Sequence, residues 1–120
     1  MAVKHIDEIT LAVGQRTHGT VIFAKQGDEE SRFLRVKLVS GEEQLFPEAG
    51  AVAQLRAILP DGTPVTVEAV IEDGDTVLAE LPPELLAQRG QVPADIAIIG
   101  ASGEILSSEV FPIMVQGAPT

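Results

Sequence analysis

Gly27-Asp28-Glu29-Glu30-Ser31-Arg32-Phe33-Leu34-Arg35-Val36-Lys37-Leu38-Val39-Ser40-Gly41 reads as a charged turn that opens onto a strand. Leu34, Val36 and Leu38 share one face while Phe33, Arg35, Lys37 and Val39 share the other, the period-2 pattern of a strand with one face in a core. Arg32 falls by parity on the core face at the strand entrance, where an arginine lays its stem on apolar surface and pairs its head with a carboxylate or a backbone carbonyl. Asp28 is the expected partner, which makes Asp28, Ser31 and Arg32 a structural anchor. An anion-binding role for Arg32 would need a second cation on its face, and Arg35 faces the other way.

Upstream, Ile9, Leu11 and Val13 alternate with Thr10 and Ala12, a first strand over residues 8–13, with residues 1–7 left as a flexible arm. Residues 19–25 form a second strand, with Val21 and Phe23 on one face and Thr20, Ile22 and Ala24 on the other. Downstream, Ser40-Gly41-Glu42-Glu43 is a polar turn before a short edge segment, Leu45-Phe46-Pro47, since proline cannot donate to a central ladder. Residues 51–59 and 65–72 flank Pro60-Asp61-Gly62-Thr63 as a hairpin, and Asp73-Gly74-Asp75 turns the chain into Val77, Ala79 and Leu81. Pro82 to Gly90 has the marks of one short helix near residues 83–89, held by Leu85 or Leu86. Residues 92–99 and 105–115 complete the set, with Phe111, Ile113 and Val115 on one face, and residues 117–120 are expected to fray.

This pattern predicts an all-β chain, an antiparallel sandwich or barrel of about eight short strands in a single domain over residues 8–116. With 120 residues, 4 Phe and no Trp or Tyr, the core must be aliphatic. The formal net charge of -10 would repel a phosphate backbone or an anionic membrane, so neither nucleic acid nor membrane insertion is expected. The lack of cysteine removes disulfides, thiolate metal sites and a Cys nucleophile. Asp7 and Glu8 stand where a signal peptide would need an apolar run, which fits cytosolic synthesis.

No residue set points to catalysis, a metal or a cofactor. His5 and His18 lack an orienting partner at recognisable spacing, and Ser102 sits in a turn rather than in a nucleophile elbow. Asp28-Glu29-Glu30 and Asp73-Gly74-Asp75 offer oxygens to a calcium ion but lack the closing glutamate of a loop site, so they read as solvated turn carboxylates. Apolar side chains remain on the faces turned away from the core, at Phe33, Val39, Val52 and Ile58. Either a second sheet covers them or they mark a subunit interface. Together with the edge positions near Phe46 and Met114, this makes Phe33, Val39, Phe46 and Met114 the candidate interface residues.

Gly27-Asp28 and Ser31-Arg32, the strand ending near Gly41, the Pro60-Asp61-Gly62-Thr63 hairpin, the Leu85 to Gly90 segment and Ser107-Ser108 before Phe111 come in an order that resembles the N-terminal domain of phage baseplate upper proteins. The resemblance runs from about Ile9 to Val115. It implies an immunoglobulin-like β-sandwich in the tail baseplate of a siphophage or prophage virion. There the domain would be a structural adaptor without an active site, docking to other baseplate or tail proteins, with a homo-oligomer as a further option. The alternative is a carbohydrate-binding or adhesin-like sandwich, which the absence of Trp and Tyr weakens, because sugar rings stack on aromatic faces.

Overall fold

Leu34, Val36 and Leu38 are buried and Lys37 is exposed, as the alternation around Arg35 predicts, and the rest of the sheet is laid out from this strand. The computed structural model describes residues 4–13, 21–25 and 31–117. Among them, ten strands follow in order: β1 (Lys4–Ala12), β2 (Ile22–Lys25), β3 (Ser31–Ser40), β4 (Glu43–Gln44), β5 (Val52–Ile58), β6 (Pro64–Glu72), β7 (Thr76–Leu81), β8 (Gly90–Ile99), β9 (Ile105–Ser107) and β10 (Phe111–Gln116). The all-β class expected from the sequence is the observed one. No helix among the described residues is long and apolar enough to cross a membrane.

The strands form one hydrogen-bonded path, β1-β3-β7-β6-β5-β8-β10-β2, with β4 beside β3 and β9 beside β8. The β6 strand changes partner midway: Pro64 to Ala69 pair with β5, and Val70 to Glu72 pair with β7. It thereby carries the chain from one face of a nearly closed barrel to the other. Leu11, Leu34, Val36 and Val77 from one side and Leu55, Val92, Ile96, Phe111 and Ile113 from the other belong to one core, aliphatic except for Phe111. Apolar burial at about 25 cal/mol per Å² is the main force holding these layers together.

Several expectations are corrected. The described strands number ten rather than about eight, because residues 43–44 pair with Ser40 and Val39, and the last strand is broken in two. The sheet is not wholly antiparallel, since β1 runs parallel to β3 and β2 parallel to β10. A half-buried strand has the same period in either direction, so the alternation carries no sign of this. Lys4 to Asp7, expected within a flexible arm, are strand residues paired with Ser31 to Leu34; backbone pairing at an edge tolerates charged side chains. The helix near residues 83–89 is a single 3-10 turn over Pro83–Leu86, with Leu85 and Leu86 both buried. Four residues between Pro82 and Ala87 cannot repay helix nucleation, and the two leucines hold the turn by packing.

The break between β9 and β10 has a polar cause. Ser108 donates its amide to the Ile96 carbonyl at 2.8 Å, its hydroxyl accepts the Ile96 amide at 2.9 Å, and the same hydroxyl donates to the Glu109 carbonyl at 2.9 Å. The side chain thus takes over a ladder bond and lets the backbone bulge before it rejoins β8 with Phe111 opposite Ala94. Ser108 forms an isolated antiparallel bridge with Val13, which brings the end of β1 against the β9–β10 joint.

Candidate interaction surface

Arg32 lies on the core face with only 12% of its side chain exposed, as parity requires. Its Nη2 donates to Asp7 Oδ2 at 3.0 Å and to the Phe23 carbonyl at 3.0 Å. β1 and β2 are the two ends of the strand path, so one guanidinium on β3 ties them together. The side chain lies on the face read from its parity, and Asp7 is a partner that the sequence reading did not name. Asp28 lies outside the described residues, and Asp7 was assigned to the arm. Ser31 opens β3, with its side chain outside the described set.

The two outer faces differ in kind. On the face built from β1, β3, β7 and the end of β6, Arg35 Nε pairs with Glu72 Oε1 at 3.0 Å and its Nη1 with Glu8 Oε1 at 3.1 Å. Those hydrogen bonds, the one to Glu72 foremost, raise the Arg35 pKa further above its ordinary value. Ile9, Thr10, Lys37 and Thr76 complete the lining of a depression there of about 350 Å³.

On the face built from β5, β6, β8 and β10, the Arg56–Asp95 ion pair and the Gln54–Glu68 hydrogen bond sit among exposed apolar residues. Arg56 and Asp95 are register partners, and the guanidinium meets the carboxylate twice, Nε to Oδ1 at 2.8 Å and Nη2 to Oδ2 at 2.6 Å. Nη2 also donates to Ser107 Oγ at 2.9 Å. Hydrogen bonding to Asp95 pushes the Arg56 pKa upward against the opposing effect of desolvation. Toward one end lie exposed Val52, Val70 and Ile105. Toward the other, Ile58 opposite Pro64, together with Pro93 and Val110, walls a groove of about 360 Å³ whose polar side is the Arg56–Asp95 pair. Beyond it, Met114 is flanked by Gln91 and by Phe23, which is 60% exposed.

Of the candidate interface residues, Phe46 is exposed, Phe33 and Met114 are half-buried, and Val39 is buried. Val39 is corrected from surface to interior because Ala12 of β1 lies beside it on one side and Gln44 of β4 on the other. Val52 and Ile58 remain exposed, with no second layer over them among the described residues. Phe23 and Val110 were missed as surface residues. A signal for Val110 existed, since it follows Glu109, whose parity matches the core residues Phe111, Ile113 and Val115 and so turns Val110 outward.

The acidic turns have conformational explanations. Asp73 at φ 51° and Gly74 at φ 71° supply the two successive positive φ angles of a tight hairpin, closed by the Asp75 amide on the Glu72 carbonyl at 3.0 Å. Asp61 accepts the Thr63 amide at 2.9 Å and the Gln88 side chain at 3.0 Å. Hydrogen bonds from Thr63, then Gln88, hold its carboxyl below the ordinary range. Glu29, Glu30 and His18 lie outside the described residues, as does the side chain of His5.

No family model matches this chain, and no curated protein matches it by sequence. Among solved structures, the N-terminal domain of phage TP901-1 ORF48 superposes with a TM-score of 0.74 at 14% identity, over 93% of this chain and 98% of that one. At that identity the likeness is one of fold. It extends across almost the whole of both chains, in agreement with the resemblance to a phage domain read from Ile9 to Val115.

Proposed function

We propose that this chain is a structural component of a phage tail baseplate, a non-catalytic β module that joins neighbouring tail proteins by docking. The observation that carries the reading is the near-complete superposition on the domain of a phage protein, 93% of one chain on 98% of the other. The electrostatics support a structural role as well. Arg32 with Asp7, Arg35 with Glu8 and Glu72, and Arg56 with Asp95 engage one another, whereas a catalytic site aims titratable groups at an open space. Apolar side chains left on the surface at Phe23, Phe46 and Val110 are the kind that a partner covers. On this reading the protein belongs to the virion tail, and its partners are other tail proteins.

The test is deletion of the coding sequence from the phage or prophage, with negative-stain imaging of the particles. Tails whose tips lack peripheral parts, restored by the gene supplied in trans, support the role. Complete tail tips that infect at the normal rate would contradict it.

A further inference from the structure

We propose that the groove beside the Arg56–Asp95 pair docks a protein partner that inserts an aliphatic or aromatic side chain surrounded by lysine or arginine, and that its occupant is not a second copy of this chain. The proposal rests on the docking reading above and adds the surface and the chemistry of the partner. Val110 is 64% exposed and Ile58 45% exposed, and both stand on backbone that the Ser108–Glu109 joint and the β5–β6 hairpin hold in place. Pro64 and Pro93 add rigid walls without backbone donors, so a partner side chain enters a preformed apolar space and leaves no N–H unpaired there. The charged groups of the groove are already satisfied: Arg56 is bonded to both carboxylate oxygens of Asp95 and to Ser107. Covering a completed pair is far less unfavourable than covering an open charge. The opposite face, with exposed Lys37 beside Glu8 and Arg35, offers no comparable apolar floor.

Charge selects the partner. Asp61 lies in the turn between Ile58 and Pro64 and Glu68 follows Thr66 along the same face of β6, so two carboxylates stand beside the groove in addition to Asp95, whose charge Arg56 already offsets. The whole chain has a formal net charge of -10. A second copy would set these carboxylates against their own images, whereas a basic rim complements them and speeds encounter.

The probe is each of the other tail proteins encoded with this chain, purified singly and measured against the full chain by biolayer interferometry at low and high salt. Val110→Glu and Ile58→Glu change exposed residues and are checked for folding by circular dichroism; Lys37→Glu, on the opposite face, serves as the control. One tail protein should bind, more weakly at high salt, and each groove variant should weaken it by about tenfold or more while Lys37→Glu leaves it nearly unchanged. Binding unaffected by both groove variants would overturn the groove and leave the docking reading standing. Binding by none of the tail proteins would sink the docking reading itself. Self-association abolished by Val110→Glu in sedimentation would overturn the choice of occupant.

Discussion

Glu109 and Ala12 bond to each other twice: the Glu109 amide donates to the Ala12 carbonyl at 2.8 Å, and the Ala12 amide donates to the Glu109 carboxylate at 2.6 Å. A buried glutamate here does for the end of β1 what a neighbouring strand would do, and it fastens β1 to the β9–β10 joint. With Arg32 tying β1 to β2, the sheet is held at two points where its ladder does not continue.

Replacing Glu109 by Ala removes a charge-assisted bond and leaves the buried Ala12 amide without that acceptor. The expected loss is about 2–3 kcal/mol in denaturant unfolding. Glu109→Gln keeps an oxygen acceptor and should lose less. Equal losses for the two variants would mean that the carboxylate oxygen does not carry the contact.

Arg32→Ala should destabilise the chain by about 1–3 kcal/mol, since it removes the contacts to Asp7 and Phe23 at a largely buried site. Partner affinity should stay nearly unchanged. Asp7→Ala should give a smaller loss, and the double variant should lose less than the sum of the two, which a thermodynamic cycle measures. A variant that loses binding while keeping its stability would make the anchor itself the interface.

Gly74 takes φ 71° with open space around it, so a methyl group meets no atom and only the backbone is strained. Gly74→Ala should cost about 1–2 kcal/mol, read as a lower melting temperature. Asp73→Gly, at φ 51°, should be neutral or mildly stabilising.

The depressed Asp61 pKa sets a direction for pH dependence. A carboxyl whose folded pKa lies below its unfolded value contributes stability that is fully present above the ordinary Asp pKa of about 3.9 and is lost as pH falls through the folded pKa. Asp61→Ala should therefore be less stable than the parent chain at neutral pH, and the two should converge in acid. A constant difference across the titration would assign the effect to turn shape instead of charge.

Much of this architecture is written locally. Leu34, Val36 and Leu38 announce their strand, and Asp61-Gly62 and Asp73-Gly74 announce their turns, because period and positive φ are properties of a few adjacent residues. What escaped is long-range. Nothing in Lys4 to Asp7 shows that they pair in parallel with Ser31 to Leu34, and so the contact of Arg32 with Asp7 was not legible. The groove likewise joins Ile58, Pro93 and Val110 from strands and joints far apart in the chain, and only the register brings them together. Glu109 is the exception, since its parity with Phe111 already turned it inward, against the ordinary expectation for a charged residue.

The most direct test of the structural role in a virion is quantitative mass spectrometry of purified tails. The account predicts that this chain is present in a fixed small multiple of the other tail-tip proteins, and that it stays with the tails through purification at low salt. Its absence from purified tails that remain infectious would contradict the account.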